Sequence, residues 1–138
     1  CKKHGIYVLI DLHGAPGGQN TGVNILGENV SNKLWFKQEF KDKTVLIWQK
    51  IAARYKNEKA VVGYDLLNEA WGAPSLPSSM KDLIDLNDRL YKEIRKIDPQ
   101  HMIFIEDGLQ GINRMPHPAR WAGRTSSTAS TTTRACRT

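Results

Sequence analysis

The sequence predicts an α/β protein whose strands run parallel in the order βαβαβ. Three short apolar runs rich in β-branched residues, two intervening segments with apolar residues at helical spacing, and reactive side chains at the end of each run carry this reading. Strands buried on both faces read as continuous apolar stretches, and a helical crossover between strands makes them parallel.

The first strand is expected over residues 5–13, "GIYVLIDLH", with polar residues gathering at its end. Residues 14–24, "GAPGGQNTGVN", form a loop by their Gly, Pro and Asn content. A helix is expected over about 32–56, where Phe40, Ile47, Trp48, Ile51, Ala52 and Tyr55 recur at helical spacing and Ser31 offers an N-cap. Trp35 and Trp48 read as packing residues of that helix. Residues 61–67, "VVGYDLL", form the second strand, and a loop follows from Asn68 to Pro77. The next helix has the apolar stripe Met80, Leu83, Ile84, Leu90, Tyr91, Ile94 and Ile97, begins at the capping-box-like "SMKD" of 79–82, and ends at Asp98-Pro99. Residues 102–106, "MIFIE", make the third strand, closed by Asp107-Gly108.

With 138 residues the chain can build a sizeable core but not a fold that needs about 250. The net charge of +6 invites a nucleic-acid or membrane reading, which fails once the charge is located. Residues 1–113 hold 15 Lys plus Arg against 14 Asp plus Glu, whereas 114–138 hold five Arg and no acid. No apolar run approaches a membrane span, and no nucleic-acid or membrane partner is expected. Cys1 and Cys136 offer neither a metal motif nor a disulfide framework. Phosphate-binding GxxxxGKS/T, nucleophile-elbow GxSxG and dinucleotide GxGxxG patterns are missing, so no cofactor and no metal is expected.

In parallel α/β folds ligands bind beyond the carboxyl ends of the strands. The three strands end in His13, in Asn68-Glu69 and in Glu106-Asp107, which converge if the strands share one sheet. Glu69 is a general acid if partial burial near Trp71 raises its pKa, and otherwise a loop carboxylate; spacing leaves the two level. Asn68 can hold a substrate hydroxyl, and Trp71 can stack on a sugar face. His13 alone reads as a structural histidine, and Glu106 and Asp107 before Gly108 read as turn formers.

"VLIDLHGAPGGQNTG", followed some fifty residues later by "YDLLNEAW", resembles glycoside hydrolase family five, the cellulase and β-glucanase group. The resemblance covers residues 1–118 and implies a partial TIM (β/α)8 barrel, with the three strands as barrel strands three, four and five. It implies Glu69 as the catalytic acid/base, Asn68 as the contact to the sugar 2-hydroxyl, and His13 as a lining of the cleavage subsite; Trp71 joins His13 and Asn68 as a substrate-binding candidate from its residue type alone. It implies a β-linked glucan, as polysaccharide or oligosaccharide, cleaved with retention by two carboxylates about 5 Å apart, and commonly a secreted protein. The family's nucleophile is a glutamate on strand seven, which residues 1–138 do not reach, and the strand-two arginine and strand-eight tryptophan are missing too. Glu106 does not replace the nucleophile, since strand five does not supply it. Residues 1–118 are thus expected to be a fragment of a catalytic barrel that hydrolyses no β-glucan by itself.

Residues 119–138 are a Ser/Thr/Arg-rich tail, with nine Ser or Thr among the last 15 residues. It reads as disordered, and as a frameshift product. One permitted codon choice for residues 124–138 encodes, in another frame, a strand-like segment with the His and Tyr that the resemblance expects on a sixth strand. Two readings from other classes stand beside the hydrolase: a non-catalytic carbohydrate-binding relic of the same barrel and, last, nucleic-acid binding through the basic tail.

Overall fold

The structure, a computed structural model, describes residues 1–20, 22–23, 29–30, 32–70 and 79–106; at 22–23, 29–30 and 79–80 the backbone alone is described. The tail, Ser31, Trp71 and Asp107 lie outside the described residues.

A 3-10 turn at Lys2–His4 closes on Gly5, whose φ of 66° is left-handed. Gly5 therefore cannot belong to a strand, and β1 runs over Val8–Asp11 rather than from residue 5. In the loop that follows, β2 (Gly22–Val23) and β3 (Asn29–Val30) pair antiparallel, a small hairpin that the Gly-rich sequence did not announce. Then come α1 (Lys33–Phe36), α2 (Gln38–Tyr55), β4 (Val61–Asp65), α3 (Ser79–Arg95) and β5 (Met102–Phe104).

β1, β4 and β5 form one parallel sheet in that order, with Leu9 opposite Gly63 and Gly63 opposite Met102. The βαβαβ expectation holds, with β1 shorter at both ends and β4 and β5 beginning as expected but ending two residues earlier. Gly63 is required by close approach: a Cβ there would lie 2.5 Å from the Met102 carbonyl oxygen. No helix among the described residues is long and apolar enough to cross a membrane.

The single helix expected over 32–56 is two helices, broken where Lys37 takes an extended conformation (φ −124°, ψ 119°). The cause is tertiary. Lys33 and Leu34 donate their N–H groups to Gly17 and Gly18, and the Trp35 indole N–H donates to the Gln19 carbonyl at 2.8 Å. These bonds tether α1 to the loop after β1, while α2 turns to lay Val45, Trp48 and Ala52 on the core. The N-cap positions are Asn32 and Lys37, neither with a side-chain cap bond.

Trp48 is fully buried, tilts against Tyr64 with centroids 5.6 Å apart, and donates its indole N–H to Leu66 O at 3.0 Å. α3 buries Leu83, Leu86, Leu90 and Ile94, one stripe at helical spacing. Beyond its end, Asp98 is fully buried and accepts from Tyr64 Oη at 2.7 Å and from the N–H groups of Gln100 and His101. His101 Nδ1 lies 2.6 Å from the same carboxylate. Burial pushes the Asp98 carboxyl up, but the hydrogen bonds from Tyr64, Gln100 and His101 outweigh it and hold the group below its ordinary value.

Candidate active site

The carboxyl ends of the strands are drawn together by pairing that continues past them. Leu12 N–H donates to Asp65 O, Leu66 N–H to Phe104 O, and Asn68 N–H to Leu12 O at 3.3 Å. His13 and Asn68 thus emerge side by side, although 55 residues apart in the chain.

Glu69 follows with φ 41°, among the described residues the one non-glycine in positive φ. Its N–H donates to Glu106 Oε2 at 2.6 Å, and its carbonyl has a long contact of 3.5 Å to Asn20 Nδ2. Groups from the β5 end and the β1 loop therefore hold a strained peptide in place. Glu69 itself is exposed, so the partial burial expected around its carboxyl is not supplied by the described residues. Asn68 is half-buried.

The His13 ring is exposed, with Nδ1 2.9 Å from Asp11 Oδ2. The Asp11 carboxylate is placed to accept a proton carried on Nδ1 and so to orient the ring. Asp65, opposite Asp11 in the sheet, has its carboxyl pushed up to about 7, first by burial and then by the negative charges of Glu106 and Asp11. Its Oδ1 is buried without a hydrogen-bond partner. Among the described residues no group of three or more His, Cys, Asp or Glu is placed to hold a metal ion.

Of two further residues at this end, one was named from sequence at a strand end but read as a turn former, and the other was not singled out. Glu106, read as a turn former, reaches back to the Glu69 amide. Gln19, 3% exposed, accepts from Ala15 N–H at 2.9 Å and donates to His13 O at 2.9 Å and to Asn68 O at 3.0 Å. A polar residue in a Gly-rich loop was the sole local signal for it.

Residues 1–134 match the family described as Cellulase (glycosyl hydrolase family 5). The chain belongs to that family. Among family-related proteins, a β-xylosidase of Phanerodontia chrysosporium is 40% identical over 106 residues, 77% of this chain and 21% of the relative. A probable glucan 1,3-β-glucosidase A of Aspergillus fumigatus is 33% identical over 111 residues, 78% of this chain and 25% of the relative. Endoglucanase G of Acetivibrio thermocellus is 29% identical, over 84% of this chain and 22% of the relative. The chain thus spans about a quarter of the length of these relatives, or less.

The crystal structure of a glycoside hydrolase superposes with a TM-score of 0.63 at 29% identity, over 77% of this chain and 31% of that one. Endo-glycoceramidase II from Rhodococcus sp. does so at 0.54 and 25% identity, over 60% of this chain and 21% of that one. The parallel sheet with its helices is accordingly a segment of the family-5 TIM barrel.

Proposed function

We propose that this chain is the strand-three-to-strand-five part of a retaining β-glycoside hydrolase, with Glu69 as its acid/base. The observation that carries this reading is the Glu69 peptide, held in a left-handed conformation at the carboxyl end of β4 by Glu106 and set beside His13 and Asn68. Strain stored at a polar residue on the ligand-binding face of a barrel strand is characteristic of a functional site.

In the reaction, protonated Glu69 gives its proton to the glycosidic oxygen as the bond from that oxygen to the anomeric carbon breaks. A second carboxylate, which the family places on strand seven, forms the glycosyl ester from the opposite face. Glu69, now ionised, takes a proton from water; the oxygen of that water attacks the anomeric carbon, and the second carboxylate leaves. Asn68 holds the 2-hydroxyl, where hydrogen bonding strengthens in the transition state. His13, oriented by Asp11, accepts from a neighbouring sugar hydroxyl, and Trp71 stacks on the sugar ring. The substrate is a β-linked glucan, as polysaccharide or oligosaccharide. The 40%-identical β-xylosidase makes β-xylosides the first competitor to test.

Glu69→Gln tests this in the complete barrel. Cleavage of a β-linked oligosaccharide should fall by about 10²-fold or more, since acid assistance is lost. A 2,4-dinitrophenyl β-glucoside, whose leaving group needs no proton, should form the glycosyl ester at close to the parent rate. Equal losses on both substrates would refute the acid role, and unchanged oligosaccharide cleavage would refute the reading of the whole site.

A further inference from the structure

We infer that Gln19 is a positioning residue: its side-chain amide fixes the spacing between His13 and the Asn68–Glu69 pair. This rests on the reading of Glu69 as the acid/base. The amide lies between two loops that, among the described residues, are also joined by the backbone bond from Asn68 N–H to Leu12 O. Gln19 Oε1 accepts from Ala15 N–H, and the two protons on Nε2 go one to His13 O and one to Asn68 O. Both donors are consumed, and the residue is 3% exposed, so water does not compete. The orientation is unique. Turned over, the amide would set its oxygen against two carbonyls and its NH2 against an N–H.

Gln19 is itself anchored, because its backbone carbonyl accepts the indole N–H of buried Trp35 at 2.8 Å. Its neighbour Asn20 reaches toward the Glu69 carbonyl. The β1 loop therefore touches the carbonyls of residues 68 and 69 in succession. A clasp on the carbonyl of one substrate-binding residue and on that of another sets the distance between their side chains, which no contact within either loop can do. Misplacement of reacting groups by about 1 Å can cost 10²-fold in rate. Glutamine is also specific here: glutamate keeps the length but presents oxygens to two carbonyls, and methionine keeps the volume but supplies no donor.

The test compares parent, Gln19→Met, Gln19→Glu, Trp35→Phe and Glu69→Gln in the complete barrel, reading kcat and KM for an aryl β-glycoside from pH 4 to 8, with Tm. We expect Gln19→Met to lower kcat about 10- to 100-fold, with a smaller change in KM, at all pH values. Gln19→Glu should be as slow at pH 8 and recover as pH falls, because a protonated carboxyl regains one donor toward the two carbonyls. Trp35→Phe, which leaves the side-chain amide intact, should lower Tm without altering the shape of the pH profile. Parental kcat and pH profile in both Gln19 variants, with Tm alone reduced, would overturn the positioning role. Loss of the folded state in both would assign the residue to stability and overturn it equally. If Glu69→Gln retains parental kcat, the acid/base reading fails, and the inference with it; if Glu69→Gln is inactive while the Gln19 variants are normal, the clasp alone fails.

Discussion

Asp65→Asn should make the protein more stable at pH 8 and leave it nearly unchanged at pH 4. The Asp65 carboxyl is pushed up from 3.8 to about 7 by burial and by the charges of Glu106 and Asp11. A raised carboxyl contributes stability that is fully present below the unfolded value and lost as pH rises through the folded one. At about 1.4 kcal/mol per pH unit, the full shift would cost about 4 kcal/mol above pH 7. Asp65 is only half-buried, and solvent screening reduces this to about 1–2 kcal/mol. Asparagine removes the charge, keeps the shape, and offers Nδ2 protons toward Glu106 and Asp11. Urea unfolding of both proteins from pH 4 to 8 should show the stability gap opening between pH 5 and 7, in favour of asparagine. A gap that stays constant with pH, or one that favours aspartate at pH 8, would refute the assignment of the shift to unrelieved negative charge.

Asp98→Ala should destabilise by about 3 kcal/mol or more, because it removes a fully buried carboxylate and strands the fully buried Tyr64 hydroxyl together with the part-buried Gln100 and His101 amides; an unfolding free energy from urea within about 1 kcal/mol of the parent would contradict this. Since the Asp98 carboxyl is held low, its contribution is present above the unfolded value near 3.8 and should disappear as pH falls below it, which acid titration of the unfolding free energy would show. Gly63→Ala should cost about 1–3 kcal/mol by forcing β4 from β5, and parental thermal stability in that variant would mean the strands can part without penalty.

The sheet and helices were legible because each is a local pattern: β-branched runs at 8–11 and 61–65, and the Leu83, Leu90, Ile94 stripe of α3. The break at Lys37 was not, because its cause is an indole of α1 reaching a carbonyl in the preceding loop. His13, Asn68 and Glu69 could be singled out by their place at strand ends, as polar residues after apolar ones. Gln19 and Glu106 act on backbone groups 49 and 37 residues away, and no spacing within their own loops encodes such partners. Asp98 shows both cases. Asp-Pro as a helix stop could be read from sequence, whereas the convergence of Tyr64 and His101 on its carboxylate needed the folded chain.

Asp98 joins α3 to the start of β5, at the opposite end of the sheet from His13 and Glu69. The buried carboxylate that ties α3 to β5 and the groups proposed to bind the sugar therefore lie at separate ends of one sheet. Under selection, loops at the His13 and Glu69 end can drift while the Asp98 joint is left alone. Such a division makes a segment of this kind exchangeable between barrels of different appetite, as a cassette that brings its own foundation.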